Sequence, residues 1–196
     1  MSMVRPREFD RDAALERATG IFWAKGFAST STEDLLAAMN IGRQSMYNAF
    51  GDKRSLYMEV LQTYHQKMVS LHLKRLNGES SPLEGIRALL RGLAPSDDEQ
   101  RALGCLGVGA VGEFGTSDPE LLRLAHAVSQ AVGKRIAERI VEGQAAGVID
   151  SDVQPATAAA FVLTTMTGLQ LAARAGATMV DLHRQADFVV GRLKAA

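Results

Sequence analysis

Apolar positions recur at helical spacing along almost the whole chain, and glycine, proline and small polar residues punctuate them. Leu15, Ala18 and Phe22 share one face of a first helix that Asp10 can cap and that runs to about Lys25, with Gly26 just past its end. "TSTEDLLAAMN" opens a second helix. Ser31 and Asp34 imitate a capping box there, Leu35, Leu36 and Met39 point inward, and Asn40 suits a left-handed stop. A short third helix covers roughly 43–49, Gly51-Asp52 turns the chain, and Asp52 caps a long helix over 53–76. "NGESSP", at 77–82, is the best boundary, and helices follow at about 82–94, 99–115, 119–146, 154–176 and 179–195. No convincing run alternates with a period of two. The expectation is an all-α chain: a helix-turn-helix unit over 1–57, a linking helix over 53–76, and a helical bundle over 77–196.

The third helix raises a chemical question. Ile41, Met46 and Phe50 look made for a core, yet Arg43, Gln44, Ser45, Tyr47 and Asn48 lie among them. Met46 and Phe50 are four apart and share an anchored face, which leaves the others free. A recognition helix needs this division, with one face locked in a small core and the other reaching bases and phosphates. Arg43 suits guanine, Gln44 and Asn48 suit adenine, and Tyr47 and Lys53 suit phosphates.

Charge changes the picture only slightly. Lys+Arg and Asp+Glu both number 22, but residues 1–76 hold 11 basic and 8 acidic residues and the remainder 11 and 14. The surplus of positive charge lies on the side of the proposed reading helix. Cys105 is the single cysteine, which excludes an internal disulfide. With no apolar leader run at the start, a reducing, cytoplasmic setting is expected. The charge-free stretch 153–173 is long enough to span a bilayer. Its threonines, glutamines and alanines make it a weak span and predict a buried helix of a water-soluble protein instead.

From Ala13 to Tyr57 the chain resembles the DNA-binding domain of the TetR family of bacterial transcriptional regulators. The resemblance is carried by Phe22, Gly26, Phe27, Thr30, Tyr47, Phe50, Lys53 and Leu56 within "ALERATGIFWAKGFASTSTEDLLAAMNIGRQSMYNAFGDKRSLY". It departs at Asn40 and Gly42, where Gly and Ser are commoner, so the reading helix loses a side-chain cap. The resemblance implies a repressor that binds a palindromic double-stranded DNA operator as a homodimer and is released by a small effector. Thr30, Thr32, Arg43, Gln44, Ser45, Tyr47, Asn48 and Lys53 are the expected DNA contacts.

"GCLGVGAVGEFG" contains G-x-G-x-x-G at Gly107, Gly109 and Gly112. A dinucleotide site needs a strand before that motif and a helix opening at its end, and the pattern offers neither. A cofactor-binding enzyme is the alternative kept for this segment; no cofactor is expected. The favoured reading is a helix over 99–115 loosened by Gly104, Gly107, Gly109, Gly112 and Gly115, either packed closely or forming the wall of a ligand site. "Gly-Cys-Leu…Glu", at Gly104, Cys105, Leu106 and Glu113, also resembles a ligand-domain helix of one TetR subgroup. A small, mostly apolar effector would then meet Cys105, Val108, Gly109, Gly112 and Glu113, with Phe161, Met166 and Gln170 from a later helix. Cys105 reads as a small core residue or a sensor thiol. His65, His72, His126 and His183 lack metal-ligand spacing, and no nucleophile–base–orienter set can be named. Ala156, Ala160, Thr164, Gly168, Ala172 and Gly176 recur every fourth residue and are all small, a ridge suited to a twin helix across a two-fold axis, together with the helix around Val180 to Leu193.

Overall fold

The computed structural model describes residues 9–195. Among them ten helices occur and no strand; one isolated bridge pairs Ile149 with Lys194. The helices are α1 (Arg11–Lys25), α2 (Thr32–Met39), α3 (Arg43–Phe50), α4 (Lys53–Asn77), α5 (Pro82–Arg91), α6 (Asp98–Leu103), α7 (Leu106–Phe114), α8 (Pro119–Ala145), α9 (Pro155–Arg174) and α10 (Met179–Gly191).

Local chemistry sets these limits. The Asp10 carboxylate accepts from the Asp12 and Ala13 amides and starts α1. Ser31 and Asp34 form the reciprocal capping box, and Asn40 ends α2 in the left-handed region at φ 55°. Gly42 precedes α3 with no side-chain cap. One expected helix divides: the chain breaks between α6 and α7 where 99–115 reads as continuous. Gly104 adopts φ +65°, and a Cβ there would stand 3.1 Å from the Gln170 carbonyl. The sequence pattern shows a weak helix; a left-handed glycine packed against Gln170 and Arg174 of α9 ends it.

Two compact units divide at Tyr64/His65, inside α4. The reason is burial: Val69, Leu73 and Leu76 from the second half of α4 pack with α5, α8, α9 and α10 in one core. The first unit encloses Ala18, Phe22, Leu35, Met39, Met46, Leu56, Tyr57 and Leu61. Phe22 meets Tyr57 edge-on at 4.8 Å between ring centroids, and Phe27 lies 5.0 Å from the same ring. Arg11 ties this core together from outside. Its guanidinium grips Glu59 of α4 through bonds of 2.6 and 2.7 Å, donates to the Ala49 carbonyl of α3 and covers the Phe50 ring at 4.4 Å. No sequence signal joins residues so far apart.

The second unit buries His72 at 6% exposure. Burial, aided by the charge of Arg75, lowers its pKa from 6.5 to about 4. The folded ring therefore stays neutral while the unfolded ring takes up a proton as pH falls through 6.5. Stability should decline from about pH 6.5 to about pH 4 through this group, by up to ~3 kcal/mol. His72→Gln should flatten that part of a denaturant-midpoint profile; an unchanged slope would assign the acid sensitivity to other groups.

Candidate nucleic-acid interface

α2 and α3 are joined by Asn40, Ile41 and Gly42, and the pair forms a helix-turn-helix. Met46 is fully buried and Phe50 is 5% exposed, so both lock α3 to the core of the first unit. Arg43, Gln44, Tyr47 and Asn48 are exposed on its other side, Ser45 is half-buried, and Ile41 is only half-buried in the turn. The division expected from the i, i+4 pair is therefore realised.

The exposed groups are already partnered with one another. Arg43 is ion-paired to Glu33 of α2. That hydrogen bond, then the Glu33 charge, raises the guanidinium's pKa, with a smaller contribution from Tyr47. Gln44 Nε2 donates to Asn48 Oδ1 at 2.9 Å, which holds the two amides as one unit. Their effects on base preference should therefore be coupled: the double variant Gln44→Ala/Asn48→Ala should cost less than the sum of the singles, read as operator Kd. Strict additivity would show that the amides act separately.

Lys53 opens α4 with its ammonium 4.2 Å from the Phe27 ring centroid. The start of α4 carries the expected cap, since Asp52 Oδ1 accepts from the Ser55 amide at 2.7 Å, and that end is filled. Any phosphate contact there falls to the ammonium instead. Thr32 is half-buried in the first turn of α2. Thr30 is corrected. It is 1% exposed, and its hydroxyl donates to the Gly26 carbonyl at 2.6 Å, so it closes the α1–α2 turn and cannot offer that hydroxyl to DNA. Glu33, the partner of Arg43, escaped the sequence reading because an ion pair between helices has no fixed spacing.

In the second unit the expected effector residues separate. Cys105 sits at the N-cap position of α7 without a capping bond and is half-buried, as are Val108, Gly109 and Gln170; Met166 is buried, and Gly112 and Glu113 are exposed. The α6–α7 junction meets the C-terminal part of α9, where Arg174 Nη1 donates to the Leu103 carbonyl at 3.1 Å. Arg174, which the sequence did not flag, therefore lies at this junction. A Cβ on Gly107 would stand 2.4 Å from His65 Nε2, so that glycine serves close packing, whereas Gly112 has nothing within 4 Å. Phe161 stands apart from the others. It precedes Gln170 by nine residues, about 180° around the helix at ~100° per residue. Since the Gln170 flank meets the α6–α7 junction, Phe161, 49% exposed, lies on the opposite flank. Gly107, Gly109 and Gly112 all sit inside α7 with a helix before them, so the dinucleotide alternative lacks its frame.

Comparison with known proteins agrees with both units. Residues 14–60 match the family described as bacterial regulatory proteins, tetR family. Residues 82–187 match the tetracyclin repressor-like C-terminal domain. The HTH-type transcriptional regulator YezE of Bacillus subtilis (strain 168) is 34% identical over 122 residues, which are 62% of this chain and 63% of that relative. The HTH-type transcriptional repressor ComR of Escherichia coli (strain K12) is 26% identical over 185 residues, covering 91% of this chain and 86% of the relative. A cysteine variant of the TetR family regulator CifR, solved with a 26-base-pair operator DNA, superposes with a TM-score of 0.80 at 28% identity, covering 96% of this chain and 99% of that one.

Proposed function

The chain belongs to the TetR family of bacterial transcriptional regulators, not to an enzyme family, and on that premise we propose a ligand-responsive repressor that binds a palindromic operator as a homodimer. The carrying observation is α3, anchored by Met46 and Phe50 with Arg43, Gln44, Tyr47 and Asn48 outward. ComR is named a repressor, and CifR was solved on its operator, which supports the same role for this chain. Arg43, Gln44 and Asn48 read bases; Tyr47, Lys53, Thr32 and Ser45 hold the backbone. The setting is cytoplasmic, where DNA and a reduced Cys105 are both available. Selection from a random double-stranded DNA pool should enrich an inverted repeat with half-sites about one helical turn, or a multiple, apart. A pool without enrichment would overturn the reading.

The contacts should separate by role. Lys53→Ala should weaken binding to all sequences alike and flatten the dependence of log K on log salt by about one unit. Arg43→Ala should relax preference at one base pair, worth about 1–3 kcal/mol. A Lys53 variant that changed the preferred sequence while Arg43→Ala did not would place α3 wrongly.

Homodimerisation uses α9 and α10. The most apolar window of α9 is only 33% buried within the chain, which corrects the expectation of a buried helix. Ala156, Ala160, Thr164 and Gly168 lie exposed in line; Ala172 is half-buried and Gly176 lies beyond the helix end. A four-residue step overshoots the turn by about 40°, so the line drifts inward. Leu171 and Ala175 continue the exposed face. The Thr164 and Thr165 hydroxyls are satisfied by the Ala160 and Phe161 carbonyls at 3.0 and 2.9 Å. The face is thus effectively apolar, as are Val180 and Phe188 on α10 at 63% and 67% exposure.

The effector is small and mostly apolar and meets Cys105, Val108 and Gly109 with Met166 and Gln170. It favours a state whose two reading heads no longer match successive major grooves. At Gly109 a Cβ would meet only Arg174 Nη1, at 3.9 Å, so a larger side chain has somewhere to go. Gly109→Leu should keep operator binding and lose induction; retained induction would remove the site.

A further inference from the structure

We propose that Arg75 and His72 form an anion subsite in the second unit that takes the carboxylate of a small organic acid. Arg75 is a half-buried cation whose pKa is lowered by burial alone, and among the described residues no carboxylate or hydrogen-bond acceptor pairs with it. A cation withdrawn from water without a counter-ion is costly, and surrounding structure normally supplies one. None does so for Arg75, although Arg87, Arg91, Arg135 and Arg139 in the same unit all have carboxylate partners.

The second observation is His72, one turn earlier on α4. It is 6% exposed, and its Nδ1 has no hydrogen-bond partner. Side chains on a helix lean toward its N-terminus, and the Arg75 charge is close enough to act on the His72 ring. Gly92, at the end of α5, provides the seat. A Cβ there would stand 2.3 Å from Arg75 Nε and 2.6 Å from Cζ, so the guanidinium packs against the open face of this glycine and would have to shift for any larger residue. A planar guanidinium with an adjacent neutral imidazole N–H matches the two oxygens of one carboxylate. A phosphate dianion would need a second unpaired cation, which these groups do not include. The bland role for Arg75, favourable charge in the last turn of α4, explains its position but not the unpartnered His72 or the glycine seat. The subsite stands apart from the α7–α9 reading of the effector and survives that reading's failure.

The test uses the full-length dimer and sodium benzoate, with neutral benzamide and inorganic phosphate as controls at equal ionic strength. Benzoate should raise the Tm and move the His72 ring resonances, assigned by their loss in His72→Gln; benzamide and phosphate should do neither. Arg75→Gln should weaken the benzoate response about tenfold or more. Because Arg75→Gln could also disturb α4, Gly92→Ala is the second variant. Its backbone, at φ −69°, accepts alanine, and the added methyl displaces the guanidinium without removing the charge. It should lose the benzoate response as well. Equal responses to benzoate and benzamide, a response to phosphate alone, no response to any of the three, or an unchanged benzoate response in both variants would each overturn the proposal.

Discussion

Gly168→Leu yields a folded monomer that no longer holds its operator. Gly168 is exposed in the middle of α9, and a Cβ there meets nothing within 4 Å of the same chain. Leucine therefore costs the subunit no clash, and it improves helix propensity by about 1 kcal/mol over glycine. The whole penalty falls on a twin helix that approaches along the Ala160, Thr164 and Gly168 line, where an isobutyl group separates the two backbones. Losing the second reading head removes the gain from simultaneous engagement, roughly a hundredfold or more in operator affinity. Light scattering reads the mass, circular dichroism the helix content, and a gel shift the operator. A variant that remains dimeric and binds DNA normally would remove α9 from the interface and leave its uncharged face unexplained.

That face also shows where sequence reading stops. The absence of charge over 153–173 is plain from the residues, but it has two meanings, a buried helix or a covered one. Only the position of α9 at the edge of its unit separates them. The same limit applies at Gly104, where weakness is legible but the close approach of Gln170 and Arg174 is not. Phe161 and Gln170 lie nine residues apart, so their opposite flanks follow from spacing, but that becomes decisive only once α7 has a side. Thr30 carries the family signature, yet its hydroxyl closes a turn. Features written within one turn of helix were legible throughout: the Asp10 cap, the Ser31–Asp34 box, the left-handed Asn40, and the outward set on α3 set by Met46 and Phe50. Contacts between distant residues, such as Arg11 with Glu59 and Arg43 with Glu33, were not, because charge pairs between helices leave no periodic trace.

Phe22→Ala will unfold the DNA-reading unit and leave the dimer standing. Phe22 is fully buried, stacks edge-on with Tyr57 and lies 6.3 Å from Phe27, so its removal opens the centre of the smaller core. Phenylalanine-to-alanine changes in such cores cost about 3–5 kcal/mol. A unit that ends at Tyr64 has a total stability of only about 3–9 kcal/mol at ordinary values per residue. The core that joins Leu76, Ile86, Ile136, Val162 and Val190 contains no residue of the first unit, so it keeps its own packing. Trp23 is the single tryptophan, 5.2 Å from the Tyr64 ring in the first unit, and its fluorescence reports that unit alone. The expected result is a red-shifted Trp23 emission at room temperature, no operator binding at any salt concentration, and an unchanged dimer mass. Loss of the dimer together with the Trp23 signal would show one cooperative body in place of two, and the division inside α4 would then carry no energetic meaning.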